Sequence, residues 1–100
     1  MSGGFTLEVL SGPLDGKTWT FEDEIVIGRD EQYAAACITL DRYVSRKHAR
    51  LRAQGGSLLL SDLDSRNGTR VNQRRVKGEQ RIEPGTRFQV GRTTLRVTRS

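Results

Sequence analysis

The sequence predicts an all-β protein, an antiparallel sandwich, on three observations. Apolar residues recur with period two along most of the chain, turn dipeptides stand between many of those runs, and no stretch carries a sustained helical period. In order, Phe5, Leu7 and Val9 alternate with Thr6 and Glu8, and Trp19 and Phe21 flank Thr20. Ala49, Leu51 and Ala53 alternate with His48, Arg50 and Arg52, and Leu95 and Val97 alternate with Thr94, Arg96 and Thr98. These are half-buried strands, because side chains point alternately to the two faces of a sheet. Ile25-Val26-Ile27, Ile38-Thr39-Leu40, Leu58-Leu59-Leu60 and Phe88-Gln89-Val90 read as shorter strands covered on both sides. Gly12-Pro13, Asp15-Gly16, Gly55-Gly56, Asn67-Gly68, Lys77-Gly78 and Pro84-Gly85 supply the turns. Asp30 to Cys37 is helix-like but too short to hold by itself, and reads as a connection with a single helical turn.

One hundred residues make one small domain, and 34% hydrophobic residues are enough for one core. We expect the folded unit over residues 5–98, with a flexible start over residues 1–4. The longest apolar runs, Ala34 to Ile38 and Leu58 to Leu60, fall far short of a membrane span, so the chain reads as cytoplasmic, with no membrane partner. Cys37 and His48 are the only cysteine and histidine. No internal disulfide can form, and the usual zinc ligand sets are missing, so neither metal nor cofactor is expected.

The net charge of +5 is unevenly placed: residues 1–50 carry six Lys/Arg against eight Asp/Glu, and residues 51–100 carry eleven against four. Fourteen of the seventeen cations are arginine, whose planar fork suits phosphate and carboxylate, so an acidic partner is indicated.

Three polar groups stand where apolar runs meet turns. Gly28-Arg29 closes Ile25-Val26-Ile27, which aims the arginine at a sheet rim where it can hold a phosphate with two N–H groups; the plain alternative is an ion pair with Asp30, Glu31 or Asp41. In Ser45-Arg46-Lys47-His48, serine and histidine three apart suggest a nucleophile and its base. In a strand, however, an odd offset sends them to opposite faces, and no acidic orienter is evident, so catalysis is not expected. Ser65-Arg66-Asn67-Gly68-Thr69 carries Asn-Gly, a hairpin signal in which both residues accept positive φ, while the asparagine amide offers a donor and an acceptor for an extended peptide. Together the groups form a donor-rich cleft suited to holding an oxyanion.

Ile-Gly-Arg at 27–29, Val-Ser-Arg-Lys-His at 44–48, Asp-Leu-Asp-Ser-Arg-Asn-Gly-Thr at 62–69 and Val-Asn at 71–72 resemble the forkhead-associated domain, over about residues 5 to 98. The resemblance implies a β-sandwich of about eleven strands whose apical loops grip one phosphothreonine in an extended peptide, with no catalysis. It implies that Arg29 and Ser45 hold the phosphate, that Arg46 assists, and that Asn67 pairs with the peptide backbone. Gly28, His48 and Gly68 would shape the loops, while Arg66 and Tyr43 bias partner choice. The implied partner is a threonine-phosphorylated protein, a serine/threonine kinase or its substrate. The alternatives are nucleic-acid binding by the basic half, disfavoured by only 6% aromatic residues, and phosphate-independent protein binding.

Overall fold

The computed structural model describes residues 4–100. Eleven strands form: β1 (Phe5–Ser11), β2 (Thr18–Phe21), β3 (Glu24–Gly28), β4 (Ala36–Cys37), β5 (Ala49–Gln54), β6 (Ser57–Asp62), β7 (Thr69–Val71), β8 (Arg74–Arg75), β9 (Glu79–Ile82), β10 (Arg87–Val90) and β11 (Thr93–Arg99). They make two sheets, one of six strands in the order β2-β1-β11-β10-β7-β8 and one of five in the order β4-β3-β5-β6-β9. The predicted sandwich is therefore the observed fold. Of the expected flexible start, residues 1–3 lie outside the described residues, and the Gly4 carbonyl accepts the Ser100 N–H at 2.9 Å.

Period two explains the layers. Leu7, Val9, Phe88, Val90, Leu95 and Val97 from one sheet face Ile25, Ile27, Leu51, Leu58, Leu60 and Ile82 from the other, and all are buried. Each contributes about 1.5–3 kcal/mol by leaving water, which is the main source of the fold's stability. His48, which directly precedes β5, has no exposed surface.

Among the departures of the structure from the sequence reading, four stand out. Ile38-Thr39-Leu40 forms no strand: Ile38 plugs the core, whereas Leu40 is 65% exposed. The strand lies just before it, where Ala36-Cys37 pairs in parallel with Ile27-Gly28, the one parallel pair among the described residues. The expected single turn precedes it, with Tyr33 and Ala34 N–H both donating to the Asp30 carbonyl at 3.0 Å. Phe88-Gln89-Val90 is covered on one face only, since Gln89 is exposed.

Asn67-Gly68 is the most instructive of the four. It joins β6 and β7, which lie in different sheets, so no hairpin can close there, and only Gly68 has positive φ (86°). The hairpin turn falls instead at Asn72-Gln73, with φ of 51° and 68°, where Val71 pairs with Arg74. Two consecutive positive φ values match the right-handed twist of the flanking strands.

Candidate functional site

Three loops converge at one end of the sandwich: β3 to β4, β4 to β5, and β6 to β7. Their close approach requires Gly28. A Cβ built on this residue would lie 2.0 Å from the Arg46 carbonyl oxygen and 3.2 Å from the Ala34 Cβ. Nothing flexible can yield, because the first contact is backbone. Gly28→Ala is expected to cost about 1–3 kcal/mol by overpacking, read as a lower midpoint in urea unfolding. An unchanged midpoint would show that the two loops can separate freely.

Backbone bonds then tie Arg29 to the second loop. Its N–H donates to the Ser45 carbonyl at 2.9 Å, and its Nε donates to the Val44 carbonyl at 2.9 Å. With Nε anchored, the two Nη groups form no ion pair or hydrogen bond among the described residues and remain on the exposed side. The alternative ion pairs do not form. Asp41 is 2% exposed and points inward, accepting from Tyr43 N–H, Arg92 N–H and Thr93 Oγ1 at 3.0, 2.8 and 2.7 Å. Asp30 accepts Gln32 N–H at 2.9 Å. Arg29, Asp30, Glu31, Thr39 and Arg46 line one open depression, which thus holds two cations and two carboxylates. Arg46 also lines the neighbouring depression, with Tyr33, Ser45, Lys47 and Leu63.

Besides the backbone bond from the Leu63 N–H to the His48 carbonyl at 2.9 Å, the second and third loops are joined through side chains at three points. Asn67 Nδ2 donates to the Tyr43 carbonyl at 2.8 Å, and Ser45 Oγ accepts the Arg66 N–H at 3.0 Å. His48 makes the third link: Ser45 N–H donates to its Nδ1 at 3.0 Å, while Nε2 lies 2.9 Å from the Gly68 carbonyl. A carbonyl can only accept, so Nε2 carries the proton and Nδ1 is the acceptor. Ser45 and His48 are thus in contact, because a turn lies between them, but the imidazole meets the serine backbone and not its hydroxyl. Burial pushes the His48 pKa down, against the opposing pull of the Gly68 carbonyl and of Asp62 and Asp41. The ring is neutral in the fold.

The third loop takes its shape from Asp62. Its carboxylate accepts from Ser65 Oγ, from Ser65 N–H at 3.1 Å and from Thr69 Oγ1 at 2.8 Å, while Ser65 Oγ accepts the Gly68 N–H at 2.9 Å. Burial alone would raise its pKa, but the hydrogen bonds from Ser65 and Thr69 prevail and lower it. Asp62, Ser65 and Thr69 belong to the sequence motifs, but the sequence reading gives them no role of their own, although aspartate and serine are recognisable turn residues. Lys47, Tyr33, Thr39 and Leu63 were also missed as lining residues. Lys47 Nζ sits 5.8 Å from the Tyr33 ring centre, a contact between loops that no local pattern reveals.

The structure therefore brings Arg29, Ser45, Arg46, Arg66 and Asn67 together at one apex, with Gly28, His48 and Gly68 beneath them. The sandwich has close counterparts among solved structures. An FHA domain solved in a structural and functional analysis of phosphothreonine-dependent FHA domain interactions is 33% identical, covers 95% of this chain and 95% of its own, and superposes with a TM-score of 0.81. The chain belongs to the forkhead-associated (FHA) domain family. The FHA domain of CT664 from Chlamydia trachomatis superposes with a TM-score of 0.87 at 26% identity, covering 95% of this chain and 96% of its own. The FHA domain-containing protein FhaB of Mycobacterium tuberculosis is 32% identical over 92 residues, or 91% of this chain. The chain spans 58% of the length of that curated relative. Residues 8–100 also match the family model described as the cytoplasmic domain of an inner membrane component of T3SS. Among the described residues, this FHA domain has no group of three or more His, Cys, Asp or Glu placed to hold a metal ion, and no helix long and apolar enough to cross a membrane.

Proposed function

We propose that this FHA domain is a cytoplasmic docking module that binds threonine-phosphorylated peptides and catalyses no reaction. The observation that carries the reading is the Arg29 guanidinium, pinned through Nε to the Val44 carbonyl beside Ser45, with both Nη groups left for a ligand. Arg29 and the Ser45 hydroxyl hold the phosphate, and Arg46 stands between the two depressions to assist. Ser45 Oγ already accepts from Arg66 N–H, so its own O–H is free to donate. Asn67 keeps its Oδ1 for a peptide N–H while Nδ2 holds the loop. Arg66 and Tyr43 flank the phosphate position and tune partner choice. Similarity to FHA domains studied for phosphothreonine-dependent interactions supports the ligand class, and the cytoplasmic domain described by the matching family model supports the location. The partner is a serine/threonine kinase or one of its substrates.

Against catalysis stands the use of His48 Nδ1 on a backbone N–H, which leaves no base for the Ser45 hydroxyl. About four charge-assisted hydrogen bonds at roughly 1.5–3 kcal/mol each, less an association cost of roughly 4 kcal/mol or more, give reversible binding near micromolar affinity once flanking contacts are added. The test is calorimetric titration with one peptide in threonine-phosphorylated, serine-phosphorylated and unphosphorylated forms. The first should bind, the second should bind roughly 10- to 100-fold more weakly for want of a methyl contact, and the third should give no heat. Equal binding of the phosphorylated and unphosphorylated forms would refute the proposal.

A further inference from the structure

The outer face of the six-stranded sheet carries a second feature that the apical site leaves unexplained. Strand register places Arg70 directly opposite Arg75 and Arg87 directly opposite Arg96, with Gln89 paired to both Arg70 and Thr94. Like charges directly opposite one another across strands are destabilising. Only Arg96 has a local carboxylate, Glu8 at 2.9 Å; among the described residues Arg70, Arg75 and Arg87 form no ion pair. Folding gains nothing from this grid, so an external anion is its natural complement. Arg70 and Arg87 line one shallow depression with Gln89 and Thr94. The grid is also continuous with the apex: a Cβ built on Gly68 would lie 2.7 Å from Arg75 Nε.

We infer that the partner carries an acidic segment beside its phosphothreonine, and that this segment runs from the Asn67-Gly68 loop past Arg75 onto Arg70 and Arg87. The inference rests on the phosphothreonine reading of the apex. Acidic side chains on alternate residues of an extended segment stand about 6.5–7 Å apart, close to the diagonal spacing of roughly 7–8 Å expected between Arg70 and Arg87 on neighbouring strands. A nucleic acid fits less well. The face is a sheet with no element to enter a groove, and the paired positions on it hold threonine, serine, glutamine, arginine and one glutamate but no aromatic ring for base stacking.

The test compares a neutral phosphothreonine peptide with the same peptide bearing an alternating glutamate run on its amino or its carboxyl side, at low and at physiological salt. One extension should tighten binding on the order of tenfold at low salt, less at higher salt. Arg70→Glu/Arg87→Glu should erase that gain and leave the neutral peptide's affinity unchanged; Arg70→Gln/Arg87→Gln serves if charge reversal lowers the melting temperature. If the neutral peptide binds and neither extension helps, the acidic-segment inference falls while the phosphothreonine reading stands. If no phosphopeptide binds, both fall. If duplex or single-stranded oligonucleotide binds through Arg70 and Arg87 more tightly than the extended peptide, independently of Arg29, the face is a nucleic-acid surface and the inference is overturned.

Discussion

Arg29→Ala should reduce phosphothreonine-peptide affinity roughly 100-fold or more, because two charge-assisted hydrogen bonds to phosphate at about 1.5–3 kcal/mol each disappear together. The fold should be little affected. Arg29 is exposed and leaves the core at the end of β3, and the single side-chain hydrogen bond that it makes among the described residues is to the Val44 carbonyl. Its backbone N–H to the Ser45 carbonyl survives the substitution. Arg29→Lys separates charge from geometry, since lysine keeps the cation but loses the planar fork and the Nε anchor, so affinity should stay well below wild type. Peptide titration and thermal melting on all three proteins give the answer. Normal binding by Arg29→Ala, or a loss that tracks a fall in melting temperature, would remove Arg29 from the phosphate site.

His48→Ala should lower stability by roughly 3 kcal/mol, on the order of 10–20 °C in Tm for a domain of this size. The substitution strips the partner from a part-buried backbone donor, Ser45 N–H, and a buried acceptor, the Gly68 carbonyl, and leaves a cavity at the apical end of the core. Peptide affinity should weaken chiefly as the loops lose their tie. Wild-type Tm and peptide affinity in this variant would show that His48 supports nothing.

The same residue sets an acid limit. The unfolded chain takes up a proton at the ordinary histidine value of 6.5, whereas the folded ring resists, so its pKa is lowered by burial. Above about pH 6.5 its contribution is fully present; as pH falls from there toward and through the folded value, the unfolded state binds the extra proton and stability is lost. Asp62, lowered from 3.8, acts in the same direction but further into acid. Stability against pH should therefore decline in two stages, and His48→Ala should flatten the first. A first stage that persists in the variant would assign it to another group.

Much of this was legible in the sequence because it depends on local pattern. Alternation of apolar and polar residues determined which side chains of β1, β5 and β11 enter the core, since a strand turns successive residues to opposite faces whatever its neighbours are. Turn chemistry placed Gly55-Gly56 and Pro84-Gly85 between strands, and the order of Gly28-Arg29, Ser45 to His48 and Ser65 to Thr69 marked the loops at the apex. What only tertiary structure decided is which strands become neighbours. Asn67-Gly68 carries a local hairpin preference that is overruled because β6 and β7 belong to different sheets, and the hairpin passes to Asn72-Gln73. Ile38 and Leu40 look alike in sequence, yet one is buried and the other exposed because the strand pairing ends at Cys37. Asp41 is buried against Arg92 and Thr93, about fifty residues away in sequence, and Arg70 faces Arg75 only through register. Such contacts depend on long-range pairing, and no preference of a short segment encodes them.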